Sequence, residues 1–354
     1  MSFDSERILS AIRALPAGDV RLMEVCGTHT MSIARNGIKS MLPPGVTLLS
    51  GPGCPVCVTP PEVIDAALEL AMRRDVIIAS YGDMLRVPGS RPGDSLQLRR
   101  AKGADVRIVY SPVDAVDIAA EDPTREVVFL GVGFETTAPG TAAAVLTAKE
   151  RGLKNFSLFS MLKTCEPALR TLVNSEDFNV QGFLCPGHVA TIIGSEGFRF
   201  LPEELGIPAV VSGFEGEDIL LSVYLLLKQI ADGKPELKNE YTRAVAPEGN
   251  ALAQRMMSTC FEPRRDIWRG LGEIESSGLG LKAELEDYDA EKKFGIRYTV
   301  STAPSACRCG EVIKGRIRPD ECPLFGGRCT PEDPVGPCMV SSEGACAAAY
   351  KYGY

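Results

Sequence analysis

The sequence predicts an α/β fold of two Rossmann-like lobes with parallel sheets, followed by a cysteine-rich C-terminal domain. Short apolar runs alternate with helical patterns through residue 231. Such alternation is typical of parallel strands joined by helices that cover both faces of a sheet. After residue 233 the alternation fades, and beyond Ser301 the chain is rich in Cys, Gly and Pro. A segment with so few apolar runs cannot build an ordinary core and is expected to fold around a metal centre.

The first expected element is an amphipathic helix over residues 3–15, where apolar residues have helical spacing. Thr59 followed by two prolines indicates the start of another helix, because threonine caps helices and proline is tolerated in the first turn. The expected strands are 21–25, 46–50, 75–79, 106–110, 126–131, 156–160, 180–184 and 208–211. The other expected helices are 59–73, 95–102, 136–151, 166–174 and 217–231.

These elements exceed one compact sheet, so we expect two lobes, 1–122 and 123–235, and then a helical segment (237–260) and C-terminal domain within 236–354. The first lobe carries the C-G-T-H and C-P-V-C motifs.

Two short repeats suggest related lobes. The spacing of Cys26 and His29 recurs at Cys185 and His188, and Gly-Phe-Glu occurs at 133–135 and 213–215, both in the second lobe.

Composition excludes several classes of function. The formal net charge is −8, so the chain has no global basic surface for nucleic acid. No apolar run reaches the length of a membrane span, and the N-terminus lacks a secretory pattern, so we expect a cytoplasmic protein with no membrane partner. In a reducing cytoplasm, 12 cysteines indicate metal, cluster or redox chemistry more than disulfides.

Cys54 and Cys57 form a C-x-x-C pair between a strand and a capped helix. Two thiols at this spacing can bind one metal or form a disulfide, and a helix N-terminus favours the thiolate. The alternative is a pair of structural cysteines in a tight turn. Glycine and proline place the pair in a loop, which favours the functional interpretation.

Cys26 and His29 follow a predicted strand, at the sheet edge where α/β proteins bind ligands. A thiolate binds soft or borderline metals, and an imidazole can bind metal or transfer protons. The chain has only two histidines, and both lie three residues after a cysteine. The alternative is a core histidine beside an inert cysteine. This alternative is stronger for Cys185 and His188 than for Cys26 and His29.

The C-terminal domain holds six of the cysteines within 40 residues. Four thiolates can hold a [4Fe-4S] cluster, leaving two for a redox pair. A structural zinc site is the alternative, but zinc modules usually contain paired C-x2-C hooks that are absent here. We expect the cluster ligands to be Cys322, Cys329, Cys338 and Cys346, with weaker candidates in Cys307 and Cys309.

Other signals are weaker. Glu135 is expected to be an acid at a helix start, and Cys165 and Cys260 small core residues. Asp83 lies in a loop that extends to Asp94 and is expected to be a mobile partner surface. The Gly131-Val-Gly133 pattern does not continue as a dinucleotide motif.

Taken together, these motifs resemble the HypD family of hydrogenase maturation proteins. The matching stretches span nearly the whole chain: Met23-Glu-Val-Cys-Gly-Thr-His-Thr30, Leu49-Ser-Gly-Pro-Gly-Cys-Pro-Val-Cys-Val-Thr59, Tyr81-Gly-Asp-Met-Leu-Arg-Val-Pro88, Gly131-Val-Gly-Phe-Glu-Thr-Thr137, Cys185-Pro-Gly-His188, and the run from Glu321-Cys-Pro-Leu-Phe-Gly326 to Ser341-Ser-Glu-Gly-Ala-Cys346.

The resemblance implies a scaffold on which iron receives one CO and two cyanides, giving the Fe(CN)2CO group of [NiFe]-hydrogenases. It implies a complex with the small chaperone HypC, cyanide delivery by HypE working with HypF, and a C-terminal [4Fe-4S] domain similar to that of ferredoxin:thioredoxin reductase. Cys26 matches the family's iron-holding cysteine, and His29 a position beside the iron. Cys54 and Cys57 match the family's C-x-x-C, implicated in iron binding or thiol redox steps.

Two rival functions use the same residues differently. A stand-alone thiol–disulfide oxidoreductase with an iron–sulfur relay needs Cys54 and Cys57 but neither Cys26 nor a partner. A zinc-stabilised interaction protein needs only the C-terminal cysteines. The expected scaffold has redox activity without being a conventional turnover enzyme.

Overall fold

The computed structural model describes residues 3–16, 18–91, 93–298 and 306–353. Its strands are β1 (Val20–Glu24), β2 (Val46–Ser50), β3 (Val76–Ser80), β4 (Asp105–Ile108), β5 (Glu126–Gly133), β6 (Phe156–Leu162), β7 (Gly182–Pro186), β8 (Ala209–Ser212), β9 (Leu237–Asn239), β10 (Phe261–Trp268) and β11 (Gly272–Leu281).

The helices lie between and beyond these strands. They are α1 (Phe3–Ala14), α2 (Gly27–Arg35), α3 (Ile38–Met41), α4 (Pro55–Val58), α5 (Pro61–Ala71), α6 (Leu96–Ala101), α7 (Pro112–Glu121), α8 (Ala138–Glu150), α9 (Cys165–Val173), α10 (Gly187–Ile193), α11 (Phe200–Glu203), α12 (Gly216–Asp232), α13 (Ala251–Cys260), α14 (Ala290–Phe294), α15 (Cys309–Ile313), α16 (Pro337–Val340) and α17 (Ala345–Tyr352). Short 3₁₀ turns occur at Gly82–Arg86, Ser195–Phe198, Ala283–Tyr288 and Pro319–Glu321.

The predicted α/β class is confirmed, and every predicted strand has a counterpart shifted by two residues or fewer in its start. The prediction for residues 237–260 is only partly right. Its first residues form β9 and pair with β8, and a helix begins only at Ala251. Asn250 starts that helix because its side-chain oxygen accepts hydrogen bonds from the backbone of residues 252 and 253. The hairpin of β10 and β11 was not predicted.

Two parallel sheets organise the molecule. One has the strand order β2-β1-β7-β8-β9 and the other β4-β3-β5-β6. The predicted division at residue 122 does not separate them, since β3 and β4 pair with β5 and β6 from beyond that point. The chain leaves the first sheet after β2, builds the second, and returns to the first at β7. The two Gly-Phe-Glu repeats therefore follow strands of different sheets, β5 and β8.

The core joins both sheets to the C-terminal region. The largest apolar cluster contains Met23 of β1, Val128 of β5 and Cys338 of α16. A second cluster covers the other face of the four-stranded sheet, and a third packs α1 and α12 against the five-stranded sheet. None of the helices in the described ranges is long and apolar enough to cross a membrane.

A buried ion pair attaches the β10–β11 hairpin to the four-stranded sheet. Lys163, just beyond β6, lies 2.9 Å from the carboxylate of Asp266 and donates to the carbonyl of Ile267. The two charged side chains are 2% and 6% exposed. Burial lowers the pKa of Lys163, and the facing carboxylate opposes that shift. Removing one partner would leave the other charge buried and uncompensated.

We expect Asp266→Ala to lower the free energy of unfolding by roughly 3–5 kcal/mol, the usual loss for a broken buried pair. The measurement is urea unfolding followed by circular dichroism. Glu275→Ala is the matched control on the same hairpin, because its pair with Arg265 is exposed (61% and 70%) and is expected to contribute less than about 1 kcal/mol. Equal losses of unfolding free energy in the two variants would contradict the conclusion that the buried Lys163–Asp266 pair stabilises the fold.

Candidate functional site

Cys26 lies at the carboxyl end of β1 and is the residue from which α2 begins. Its backbone N–H donates to Glu24 Oε2 at 3.0 Å, and Thr30 donates to Glu24 Oε1 at 2.5 Å. Glu24 is 1% exposed. One buried carboxylate therefore holds both ends of the first turn of α2, and with it the backbone of Cys26.

Cys54 and Cys57 are joined by a disulfide, with their Cα atoms 5.2 Å apart. The backbone N–H of Cys57 also donates to Cys54 Sγ at 3.1 Å. Both residues are buried, at 5% and 2% exposure. In this form neither sulfur is a thiolate, so neither can act as a metal ligand until the pair is reduced.

The C-G-T-H and C-P-V-C segments lie against each other because β1 and β2 are neighbouring parallel strands. Gly27 N donates to Gly53 O at 3.0 Å. A Cβ added at Gly53 would fall 2.5 Å from Cys26 Cα, so only glycine permits this close approach. The backbone segments that carry Cys26 and the C-x-x-C pair are therefore in direct contact at one edge of the sheet.

The two histidines meet around Phe214. The His29 ring lies 4.7 Å from the Phe214 ring and the His188 ring 4.0 Å from it. They converge because β1, β7 and β8 are consecutive in the five-stranded sheet. His29 Nε2 lies 2.9 Å from Gly213 O and 3.2 Å from Ser212 O, which assigns the proton to that nitrogen. His29 Nδ1 has no hydrogen-bond partner among the described residues.

Burial sets the protonation of these groups. It raises the pKa of the Cys26 thiol to about 12, with Glu343 and Glu24 adding to the effect. It lowers the pKa of His29 to about 4 against the raising effect of the two carbonyls. It also raises the pKa of Glu24 to about 7, against the hydrogen bonds that Glu24 accepts. Without a metal, Cys26 is a thiol and His29 is neutral at physiological pH.

Sequence reasoning missed the turn formed by Ser341, Ser342 and Glu343. Ser341 Oγ lies 3.4 Å from Cys54 Sγ, and Thr28 donates to Glu343 Oε1 at 2.6 Å. This turn thus touches both the disulfide and the C-G-T-H segment. It lies in a stretch that the motif comparison singled out, but its contacts are with residues about 290–315 positions away, which spacing does not reveal.

The loop containing Asp83 is attached to the same turn. Asp83 Oδ2 accepts from Ser342 N and Ser342 Oγ, both at 2.9 Å, and the Arg86 guanidinium donates to the carbonyl of Pro331. This part of the loop is thus hydrogen-bonded to the C-terminal region, while the expected partner surface stays a prediction. Its role here is to hold the C-terminal domain against the sheet edge.

Glu135 also differs from its expected role. Its Oε1 accepts from the backbone N–H of Cys165 at 2.8 Å, so it caps α9 and not the helix that follows it in sequence. Burial raises the pKa of Glu135. Cys165 and Cys260 are buried, as expected for core residues.

All six C-terminal cysteines line one cavity, together with Leu324, Phe325, Gly336 and Met339. Cys307 and Cys309 are therefore placed as well for a shared centre as the four expected ligands, Cys322, Cys329, Cys338 and Cys346. A Cβ at Gly336 would fall 2.4 Å from Cys307 Sγ, so the glycine keeps space at these sulfurs.

Within the described ranges, no group of three or more His, Cys, Asp or Glu side chains is arranged to hold a single metal ion. The donor set itself fits an iron–sulfur cluster: sulfurs only, in an apolar cavity, with more thiols than the four that a [4Fe-4S] cluster needs. Arg269 supplies a nearby positive charge, with Nη1 4.0 Å from Cys309 Sγ.

Comparison with known families adds a decisive observation. The HypD family model, described as "Hydrogenase formation hypA family", matches residues 4–353. The chain belongs to the HypD family. The resemblance found in the motifs is thereby confirmed.

Relatives of the HypD family match at nearly full length. The chain is 45% identical over 352 residues to "Hydrogenase maturation factor HypD" of Rhodobacter capsulatus, covering 98% of this chain and 93% of the relative. It is 45% identical over 334 residues to the factor of the same name from Escherichia coli (strain K12), covering 94% and 89%. The Cupriavidus necator factor is 44% identical over 358 residues, covering 99% and 94%.

The burial of neutral His29 predicts a specific pH dependence. The unfolded chain protonates this ring near pH 6.5 and the folded chain only near pH 4, so the unfolded state binds more protons between these values. Stability should therefore fall as the pH drops from 6.5 to 4. His29→Gln keeps a neutral donor for the carbonyls. It should reduce the loss of stability between pH 6.5 and pH 4 by about 3 kcal/mol.

The measurement is urea unfolding at a series of pH values. His188→Gln is the control, because that side chain is exposed and should change the slope less. A His29→Gln protein with the unaltered slope would show that the ring is charged or solvated in the folded state.

Proposed function

We propose that this protein is a scaffold for hydrogenase maturation that holds iron while the Fe(CN)2CO group of [NiFe]-hydrogenases is assembled. The observation that carries the proposal is the convergence of Cys26, the Cys54–Cys57 pair and the 341–343 turn at one sheet edge. Membership of the HypD family and the names of its relatives, which are hydrogenase maturation factors, support it. The partners would be a HypC-type small chaperone and HypE as the cyanide donor.

Cys26 would supply one iron ligand and the chaperone another. Thiolate is a soft ligand that suits low-spin iron bearing CO and cyanide. Because burial raises the pKa of the Cys26 thiol to about 12, the iron must displace the proton on binding, and its positive charge is what makes the thiolate stable there. Because the thiol is buried and protonated, its sulfur is also protected from reacting before iron arrives.

His29 is suited to accept a hydrogen bond at Nδ1, so it would neither protonate a CO or cyanide ligand nor donate a hydrogen bond to one. Its pKa near 4 leaves it neutral at physiological pH. The carbonyls of Ser212 and Gly213 hold the ring by Nε2, so the free lone pair on Nδ1 is directed elsewhere. A neutral imidazole with one fixed nitrogen can accept a hydrogen bond in a defined direction.

The C-terminal cysteines would hold a [4Fe-4S] cluster, which supplies electrons when bound. Residues of this domain reach the disulfide directly: Ser341 follows α16, which contains Cys338, and its hydroxyl lies 3.4 Å from Cys54 Sγ. Cys54 and Cys57 would then be the thiol redox pair beside the iron and not permanent iron ligands.

A stand-alone thiol–disulfide oxidoreductase is the second candidate, and the Cys54–Cys57 disulfide is the observation that favours it. Both sulfurs are nevertheless buried, which restricts access for a macromolecular disulfide substrate. The scaffold role uses both the disulfide and its neighbour Cys26, and is therefore preferred.

Cys26→Ala should abolish retention of the Fe(CN)2CO unit and leave the cluster intact. The measurement is infrared spectroscopy of the anaerobically isolated complex with the small chaperone, with absorbance near 400 nm reporting the cluster. Cys260→Ala is the matched control, since Cys260 is a buried cysteine in a different apolar cluster. CO and cyanide bands that persist in Cys26→Ala would refute the ligand assignment.

Single alanine substitutions at Cys322, Cys329, Cys338 and Cys346 should each lower the iron content and the 400 nm absorbance by more than about half, since a cubane cluster needs four protein ligands. Cys307→Ala and Cys309→Ala should retain both. The measurement is iron and sulfide analysis of reconstituted protein. If one of the first four variants kept its iron and absorbance while Cys307→Ala or Cys309→Ala lost them, the ligand assignment would be wrong. Cys307 or Cys309 would then replace that cysteine as a ligand. A colourless protein that contains zinc would refute the proposal of an iron–sulfur cluster.

A further inference from the structure

Ser341 occupies an unusual position between the disulfide and a carboxylate. Its side-chain oxygen lies 3.4 Å from Cys54 Sγ and 3.5 Å from Asp83 Oδ2. It also accepts a hydrogen bond from the backbone N–H of Glu343 at 3.2 Å. The residue is 2% exposed, so water does not compete freely for these contacts.

A hydroxyl has one proton to donate, and here two acceptors compete for it. Asp83 Oδ2 is charged but already accepts two hydrogen bonds from Ser342. The other acceptor is Cys54 Sγ, which is a weak acceptor in a disulfide or a thiol and a strong one as the thiolate that reduction releases. Whether the Ser341 hydroxyl donates to Asp83 or to Cys54 therefore depends on the redox state of Cys54 and Cys57.

We propose that Ser341 is a positioning residue that makes the Cys54–Cys57 disulfide easier to reduce, and that Asp83 opposes it. On reduction the Ser341 hydroxyl turns from Asp83 to the Cys54 sulfur, which the Cys57 backbone N–H already approaches at 3.1 Å. Turning away costs little, because Ser342 continues to satisfy Asp83. The negative charge of Asp83 favours the oxidised form, since it repels a developing thiolate.

The chemical step is an ordinary exchange with a dithiol. One thiolate of the reductant attacks the disulfide, the Cys54–Cys57 bond breaks, and a mixed disulfide forms. The second thiol of the reductant then displaces the protein sulfur and closes its own disulfide. Two electrons pass to the pair, and the reductant's protons appear on the protein sulfurs or in solvent.

The inference goes beyond the proposed scaffold and does not require iron or the cluster. It concerns the dithiol–disulfide equilibrium of Cys54 and Cys57 in the full-length protein as isolated without oxygen. If Cys26 did not bind iron, the effect of Ser341 on the disulfide would be unaffected. If Ser341 had no such effect, Cys26 would remain the proposed iron ligand. The two outcomes are therefore distinguishable.

The test measures the oxidised fraction of Cys54 and Cys57 in anaerobic dithiothreitol buffers of graded ratio, read by differential alkylation and peptide mass spectrometry. Ser341→Ala should shift the reduction equilibrium about tenfold toward the disulfide, a change of about 30 mV. Asp83→Asn should shift it several-fold in the opposite direction, because the repelling charge is gone. Ser341→Thr keeps the hydroxyl and should stay within about twofold of the unaltered protein.

Ser342→Ala is the matched control, because it removes one hydrogen bond to Asp83 in the same turn, while the Ser342 backbone N–H still donates to Asp83 and the sulfur is not touched. It should leave the equilibrium within about twofold. A merely structural role for the turn would move all the variants in the same direction. Equal shifts in Ser341→Ala and Ser342→Ala, or shifts of the same sign in Ser341→Ala and Asp83→Asn, would overturn the proposal.

Discussion

The pairing of β1 with both β2 and β7 is the constraint on which the site depends. β1 lies between these two parallel strands, so the segments that follow all three emerge at one edge of the sheet. Cys26 follows β1, the disulfide loop follows β2, and the Cys185–His188 segment ends β7 and begins α10. Residues separated by more than 150 positions in sequence are brought together by hydrogen-bonded backbone, which is far less compliant than side-chain contact.

Burial then determines the chemistry of the groups that the strands assemble. Desolvation penalises whichever form carries charge, so it raises the pKa of Cys26 and Glu24 and lowers that of His29. The close packing is possible because glycines remove side chains at the contacts. At Gly27 an added Cβ would fall 2.4 Å from Glu343 Cβ, where the C-terminal turn presses on the start of α2.

The C-terminal domain is integrated with the sheets and is not a separate appendage. Cys309, Cys329, Cys338 and Cys346 belong to the same apolar cluster as residues of both sheets. Asp83 and Arg86 hold it from the side of the four-stranded sheet, and Thr28 holds it from the five-stranded sheet. The cysteine-lined cavity of this domain and the Cys54–Cys57 pair at the sheet edge thus keep a fixed separation, which a flexible tether would not provide.

The sequence by itself determined the α/β class, the positions of the first eight strands and the cysteine-rich C-terminal region, and it singled out Cys26, Cys54 and Cys57 as candidates. These follow from local periodicity, capping and spacing, which act over a few residues. Only the tertiary structure decided that the chain crosses between sheets after β2 and returns at β7, that Glu135 caps α9, and that Ser341 and Glu343 touch the site. Those features depend on strand order and long-range packing, whose free energy comes from partners that local pattern does not identify.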